Sequence, residues 1–175
     1  MKKIFLLLIL CVTVFIIYEM FLDRRVKYLY IGNTNYERYN QIIKKYCNPK
    51  AYNTYIRNDD YRIMDLINDI KYNKKIDRRT IQNLLIKSNV IVISIGINDL
   101  EYKSELDYKY IDEFIIDIEN LFNLIRKYNK DKIYFLGYYN KNEYYQYTNK
   151  KVKELCKINK IEYIDIEESI YKQLY

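Results

Sequence analysis

Apolar residues along the chain fall into two alternating patterns. β-rich runs occur at "VKYLYI" (26–31), more weakly at "AYNTYI" (51–56), and at "NVIVISI" (89–95), "KIYFLG" (132–137) and "IEYIDI" (161–166). Between them, apolar positions recur every three or four residues, the spacing of one buried helical face. Tyr39, Ile42, Ile43 and Tyr46 form one such stripe, and Ile63, Leu66, Ile67 and Ile70 form the next. Ile81, Leu84 and Leu85 follow, then a long stripe of Ile111, Phe114, Ile115, Ile118, Leu121, Phe122 and Ile125, then Val152, Leu155 and Cys156. The closing "EESIYKQLY" (167–175) reads as a short helix. Five strands alternating with helices predict a parallel sheet with right-handed crossovers. The run at 89–95 is the most continuously apolar and predicts a central strand covered on both faces. The fold class is therefore α/β, a three-layer α/β/α sandwich around a five-stranded parallel sheet, in one domain spanning 26–175.

The first 25 residues follow neither pattern. Lys2 and Lys3 precede the apolar run "IFLLLILCVTVFIIYEMFL" (4–22), and Asp23, Arg24 and Arg25 follow it. The run approaches the ~20 residues that span a bilayer. Small residues at the positions a signal peptidase needs are missing, and Cys11 follows Leu10 rather than a small residue, so neither a cleaved signal nor a lipoprotein site is expected. The segment 1–25 reads as an uncleaved signal-anchor, with a transmembrane helix over 4–22. The expected location is the cell membrane, single-pass, with the domain outside, because a short N-terminal tail usually stays in.

Composition changes this picture little. Half of the residues are apolar and 30% are charged, which excludes a disordered chain. The net charge of +7 comes from lysines scattered along the chain, and a nucleic-acid partner is not expected. Tyrosine is frequent, with 23 residues, but Lys, Asn, Ile and Tyr all have AT-rich codons. Clusters such as Tyr144 and Tyr145 are on that ground discounted as sugar or base platforms. Cys47 and Cys156 are assigned to helices on opposite faces of the sheet, so no disulfide between them is expected.

Candidate chemistry gathers where strands stop. All three glycines close a strand: Gly32 in "YIGN", Gly96 in "SIGIND" and Gly137 in "FLGYYN". An asparagine follows each, Asn33, Asn98 and Asn140. In an open α/β sheet, ligands bind beyond the carboxyl ends of the strands, so the three turns are expected along one edge. Gly–Asn pairs are also ordinary turn chemistry. "FLGYYN" is assigned to that role alone.

"VISIGINDL" (92–100) resembles the GxND block of the SGNH/GDSL hydrolases, with Gly96, Asn98 and Asp99 in the matching places. "YLYIGNTNY" stands where that family carries its GDS block, at the end of the first strand. The resemblance runs from about residue 26 to 166 and implies a flavodoxin-like sheet. It also implies an esterase or deacylase activity on lipid or cell-wall glycan esters, and hence an acylated lipid or glycan as ligand. Neither a cofactor nor a metal is expected. Carried over residue by residue, Gly32 fits the first block, Asn33 replaces its aspartate, and Thr34 stands at the nucleophile position. Asn98 takes the oxyanion position, with Gly96 at its turn. The family's second-block glycine has no counterpart between Gly32 and Gly96, where Asn58 or Asp59 would lie nearby.

The family's late DxxH block has no matching histidine, since the sequence contains none. "DIEE" (165–168) places Glu168 at the histidine spacing but directly on a strand end, which leaves Asp165 or Glu167 as the candidate base, Asp165 first. A hydroxyl nucleophile at neutral pH needs an adjacent base, and a neutral imidazole is the usual match. A carboxylate can replace it only with a pKa raised by burial. Thr34 is otherwise read as the cap of the helix beginning near Tyr36. Three readings follow: an SGNH-like esterase with altered or impaired chemistry, a non-catalytic module binding an acylated glycan or protein partner, or a chain whose DxxH block lies beyond Tyr175.

Overall fold

In a computed structural model of the chain, residues 11–14, 26–32, 52–103, 105–139 and 142–166 are described. Five parallel strands form the main sheet: β1 (Lys27–Gly32), β2 (Tyr52–Arg57), β5 (Val90–Ser94), β6 (Lys132–Leu136) and β7 (Glu162–Ile164). Their order is β2-β1-β5-β6-β7. The order reverses between β1 and β5, which makes that boundary the switch point of the sheet. The described helices are α1 (Ile63–Lys71), α2 (Ile81–Lys87), α3 (Ile97–Tyr102), α4 (Tyr108–Tyr128) and α5 (Glu143–Ile158).

Strand alternation sorts the sheet residues into two apolar layers. Leu29, Ile31, Ile91, Ile93, Ile133 and Phe135 pack with α1, α2, α4 and α5. Tyr28, Tyr30, Val90, Val92, Tyr134 and Leu136 point to the opposite face and are buried there with Ile164 and Ile166. A strand buried on both faces shows no polar alternation, which is why β5 reads as an apolar run. The edge strand β2 is mostly exposed and buries only Ile56. There Tyr55 stacks on Tyr30 with ring centroids 4.9 Å apart, and the Arg57 guanidinium lies 4.5 Å over Tyr55.

The amino edge of the sheet is fastened by side chains to backbone. Asn129, buried at the end of α4, donates to the Leu85 and Ser88 carbonyls at 2.7 Å each. Arg126 donates to the carbonyls of Asn159, Asp131 and Lys160, joining the ends of α4 and α5. Each satisfied buried carbonyl removes a desolvation cost of ~1–3 kcal/mol. At the other edge, Asp107 caps α4 by accepting from the Tyr110 N–H at 2.7 Å, and Asn142 caps α5 by accepting from Tyr144 at 2.8 Å.

Two described elements were not legible in the pattern. A two-stranded antiparallel hairpin pairs β3 (Lys75–Ile76) with β4 (Arg79–Thr80). Two residues per strand are too few to show alternation, and its turn depends on Asp77 at φ 54°. The short α3 follows the SIG turn directly. The "IEYIDI" strand is also shorter than expected, with only Glu162–Ile164 paired. The first predicted helix, the closing helix, Cys47 and nearly all of the apolar N-terminal run lie outside the described residues. Cys11–Val14 are helical, and among the described residues no helix is long and apolar enough to cross a membrane. Cys156 is buried and free, with its thiol pushed up to about 12 by burial.

Candidate functional site

Because the main strands are parallel, their carboxyl ends form one edge. Gly32 closes β1 there, Gly96 follows β5, and Gly137 follows β6, as expected from the strand ends. Gly32 lies beside Ser94 in register, with φ +153°, and a Cβ added to it would run into the Ser94 carbonyl oxygen. The switch point is therefore closed too tightly for any side chain. Gly96 caps α3 with φ +104°, and a Cβ there would meet Tyr138 Oη and the Phe114 ring.

The GxND turn acts as a clamp on the segment between β2 and α1. Asn98 Nδ2 donates to the carbonyls of Asp59 and Tyr61, the latter at 3.1 Å. An asparagine amide has two protons, so both meet backbone acceptors from this segment. The neighbouring Asp99 carboxylate accepts from the Ile63 N–H at 3.2 Å, at the first turn of α1. Its backbone carbonyl accepts from Tyr110 Oη at 2.7 Å, which ties the start of α4 to the same turn. Burial pushes the Asp99 carboxyl up to about 6, against the opposing pull of backbone N–H groups and of Arg62. The Arg62 guanidinium itself lies 3.7 Å over the Tyr102 ring.

Asn58 lies next to Gly32, as expected for the region of the missing second-block glycine. Its N–H donates to the Gly32 carbonyl at 3.3 Å, and its side chain accepts from Asp60 at 3.1 Å in an Asx turn. That N–H and the Asn98 amide are thus both turned to backbone carbonyls. The Asn98 amide protons that the resemblance assigns to an oxyanion hold loop geometry in this structure. A ligand carbonyl at Asn98 would have to displace a carbonyl of Asp59 or Tyr61.

The remaining sequence candidates are spread along the edge. Asp165 follows β7, two strands from β5, a lateral distance of roughly 10 Å at ordinary strand spacing. Its charge acts with burial to raise the Tyr163 hydroxyl far above its usual range. Asn33 and Thr34 lie outside the described residues, as do Asn140, Glu167 and Glu168. Among the described residues no cluster of His, Cys, Asp and Glu is placed to hold a metal.

Tyr138 is the positioning residue that sequence reasoning passed over. Its hydroxyl donates to the Ile95 carbonyl at 3.0 Å, and its backbone N–H and C=O both pair with the Asn149 side chain of α5, at 2.8 and 2.7 Å. The turn after β6 is thereby fixed to both α5 and the GxND turn. With 23 tyrosines in the chain, nothing in the sequence marks this one.

Neither protein-family models nor curated proteins match the sequence. Solved structures do match its shape. A family two carbohydrate esterase from Clostridium thermocellum, in complex with cellohexaose, superimposes with a TM-score of 0.54 at 16% identity, over 79% of this chain and 53% of that one. The chain thus spans about half the length of that esterase. A family 3 carbohydrate esterase from the same organism gives a TM-score of 0.50 at 12% identity, over 82% of this chain and 79% of that one. At such identities the likeness speaks for the fold, and the fold is the one these carbohydrate esterases share, that of the SGNH/GDSL hydrolases.

Proposed function

We propose that the chain is a membrane-anchored SGNH-hydrolase-like protein, built as an esterase or deacylase of an acylated glycan at the carboxyl edge of its sheet, with ester hydrolysis impaired or lost. The observation that carries this reading is the Asn98 amide, engaged by the Asp59 and Tyr61 carbonyls in a chain without any histidine. A Ser-His-Asp mechanism needs a base that takes the nucleophile's proton and donors that receive the oxyanion. The sequence offers Thr34 for the nucleophile and carboxylates for the base. Asp165 is separated from the GxND turn by the intervening β6.

The fold likeness to carbohydrate esterases supports a glycan over a purely lipid ligand. The apolar run at 4–22 supports the anchor, and the short tail before it supports an extracytoplasmic domain. A non-catalytic module of the same fold, binding an acylated glycan or a protein partner, is the second reading, favoured by the same engaged amide.

The test is hydrolysis of p-nitrophenyl acetate and of an acetylated oligosaccharide by the detergent-extracted full chain. The expected result is little or no turnover, with any trace unaffected by Thr34→Ala. Substantial turnover abolished by Thr34→Ala, with an acyl group trapped on Thr34, would overturn the impaired reading and direct attention to Asp165 as base.

A further inference from the structure

A surface cluster of tyrosines lies beside the candidate site and belongs to neither the core nor the clamp. Tyr108 is the first residue of α4, and Asp112 stands one turn further along the same face. Tyr144 and Tyr147 occupy neighbouring turns of one face of α5. The Tyr108 ring meets Tyr144 at a centroid distance of 5.1 Å, tilted by 54°, and Tyr147 at 5.0 Å, nearly edge-on at 83°. Tyr147 Oη donates to Asp112 Oδ1 at 3.0 Å, and Lys151 Nζ lies 5.3 Å from the Tyr147 ring. The neighbouring Tyr145 points into the core and is buried. Tyr108 by contrast remains 47% exposed, so its ring contacts cover only part of it.

The cluster is continuous with the candidate site. Two residues after Tyr108, the Tyr110 hydroxyl reaches the Asp99 carbonyl of the GxND turn. The N-termini of α4 and α5 both rise from the carboxyl edge of the sheet, so a ligand on the cluster runs toward that turn.

We propose that Tyr108, Tyr144 and Tyr147 form a stacking subsite for a pyranose ring of a neutral glycan chain, resting on the glycan reading given above. A pyranose has an apolar C–H face and a rim of hydroxyls. The cluster offers the matching arrangement: open aromatic surface bordered by the carboxylates of Asp112 and Glu143 as hydroxyl acceptors. Glu143 stands close enough that its charge raises the Tyr108 hydroxyl's pKa. With Asp112 and Glu143 standing beside Lys151, the ring cluster gathers no excess of positive charge to favour a phosphate backbone or an anionic headgroup. A protein partner would be expected to cover a broader apolar patch than three rings between charged residues.

Saturation-transfer NMR on the full chain in deuterated detergent tests this directly, with cellohexaose, xylohexaose and N-acetylchitohexaose as probes. Irradiation of the aromatic protons should saturate the C–H protons of at least one sugar. Tyr108→Ala should weaken that sugar's binding about tenfold or more, while Tyr108→Phe retains it. Tyr72→Ala is the control, since Tyr72 is 84% exposed at the far end of α1. Thermal melts of each variant separate lost binding from lost folding. No transfer to any of the three sugars at millimolar concentration would overturn the subsite, as would binding equally sensitive to Tyr72→Ala. Preference for a thymidine oligonucleotide or for anionic vesicles would overturn it too. Turnover of p-nitrophenyl acetate does not require the subsite, so its presence without sugar binding rejects the subsite alone. Sugar binding without turnover supports both readings.

Discussion

Asn98 and Tyr61, 37 residues apart in sequence, are joined by a 3.1 Å hydrogen bond from a side-chain amide to a backbone carbonyl. The same amide also reaches Asp59. One side chain thereby holds the segment that leads from the edge strand into α1, at the place where ligands meet sheets of this topology.

Removing that clamp should loosen the segment before it unfolds the domain. Asn98→Ala deletes two donors from two carbonyls and is expected to cost ~1–3 kcal/mol. Asn98→Asp should cost more, because a carboxylate then faces those carbonyls. Hydrogen exchange read by mass spectrometry should show faster exchange over residues 58–63 in both variants, with the β5 core little changed. Unaltered exchange there would remove the clamp from the account.

The glycines of the edge should differ in their tolerance of a methyl group. At Gly32 a Cβ meets the Ser94 backbone, which cannot move without separating β1 from β5. At Gly137 it meets the Tyr163 side chain, whose ring can swing. Gly32→Ala is expected to cost more than ~4 kcal/mol and Gly137→Ala ~1–3 kcal/mol. Urea denaturation of the two variants measures the difference, and equal costs would contradict it.

Asp99 should make stability depend on pH. Its folded pKa of about 6 lies above the model-peptide value of 3.8, so the folded state holds this proton more tightly than the unfolded chain. Its contribution is fully present below pH ~4 and is lost as pH rises through about 6. Asp99→Asn keeps an acceptor for the Ile63 N–H and removes the charge. The variant should gain ~1 kcal/mol on the wild type between pH 4 and 8, after allowance for solvent screening at a partly buried group. Thermal melts across that range check the sign, and a constant difference would show that the carboxyl does not titrate there.

Cys156 should be chemically silent in the native state. It is packed in the core, with its thiol pushed up to about 12 by burial. Iodoacetamide at pH 8 should leave it unlabelled until denaturant is added, with peptide mapping as the readout. Rapid native labelling would show that α5 opens from the sheet.

The alternation of strands and helices was legible because its causes are local. Side chains repeat every two residues on a strand and every 3.6 on a helix, and an apolar layer imprints that period wherever an element is long enough. Gly32, Gly96 and Gly137 announced the carboxyl edge for the same reason, since each closes a strand within its own sequence neighbourhood. The fold class followed from these signals, and the resemblance to the SGNH hydrolases came from the GxND motif at Gly96, Asn98 and Asp99. The two-residue strands of the β3–β4 hairpin left no such trace.

Tertiary structure alone decided what the edge residues hold. Asn98 reads as an oxyanion donor from its motif, yet its acceptors come from the far side of α2 in sequence, and no local rule specifies them. Tyr144 and Tyr145 are adjacent and identical in type, and the sequence offers no ground for separating them. One step along a helix turns a side chain by about 100°, enough to send Tyr145 into the core and leave Tyr144 against Tyr108 at the surface. Periodicity is a property of one element, whereas these contacts depend on how distant elements are brought together by strand order and loop geometry.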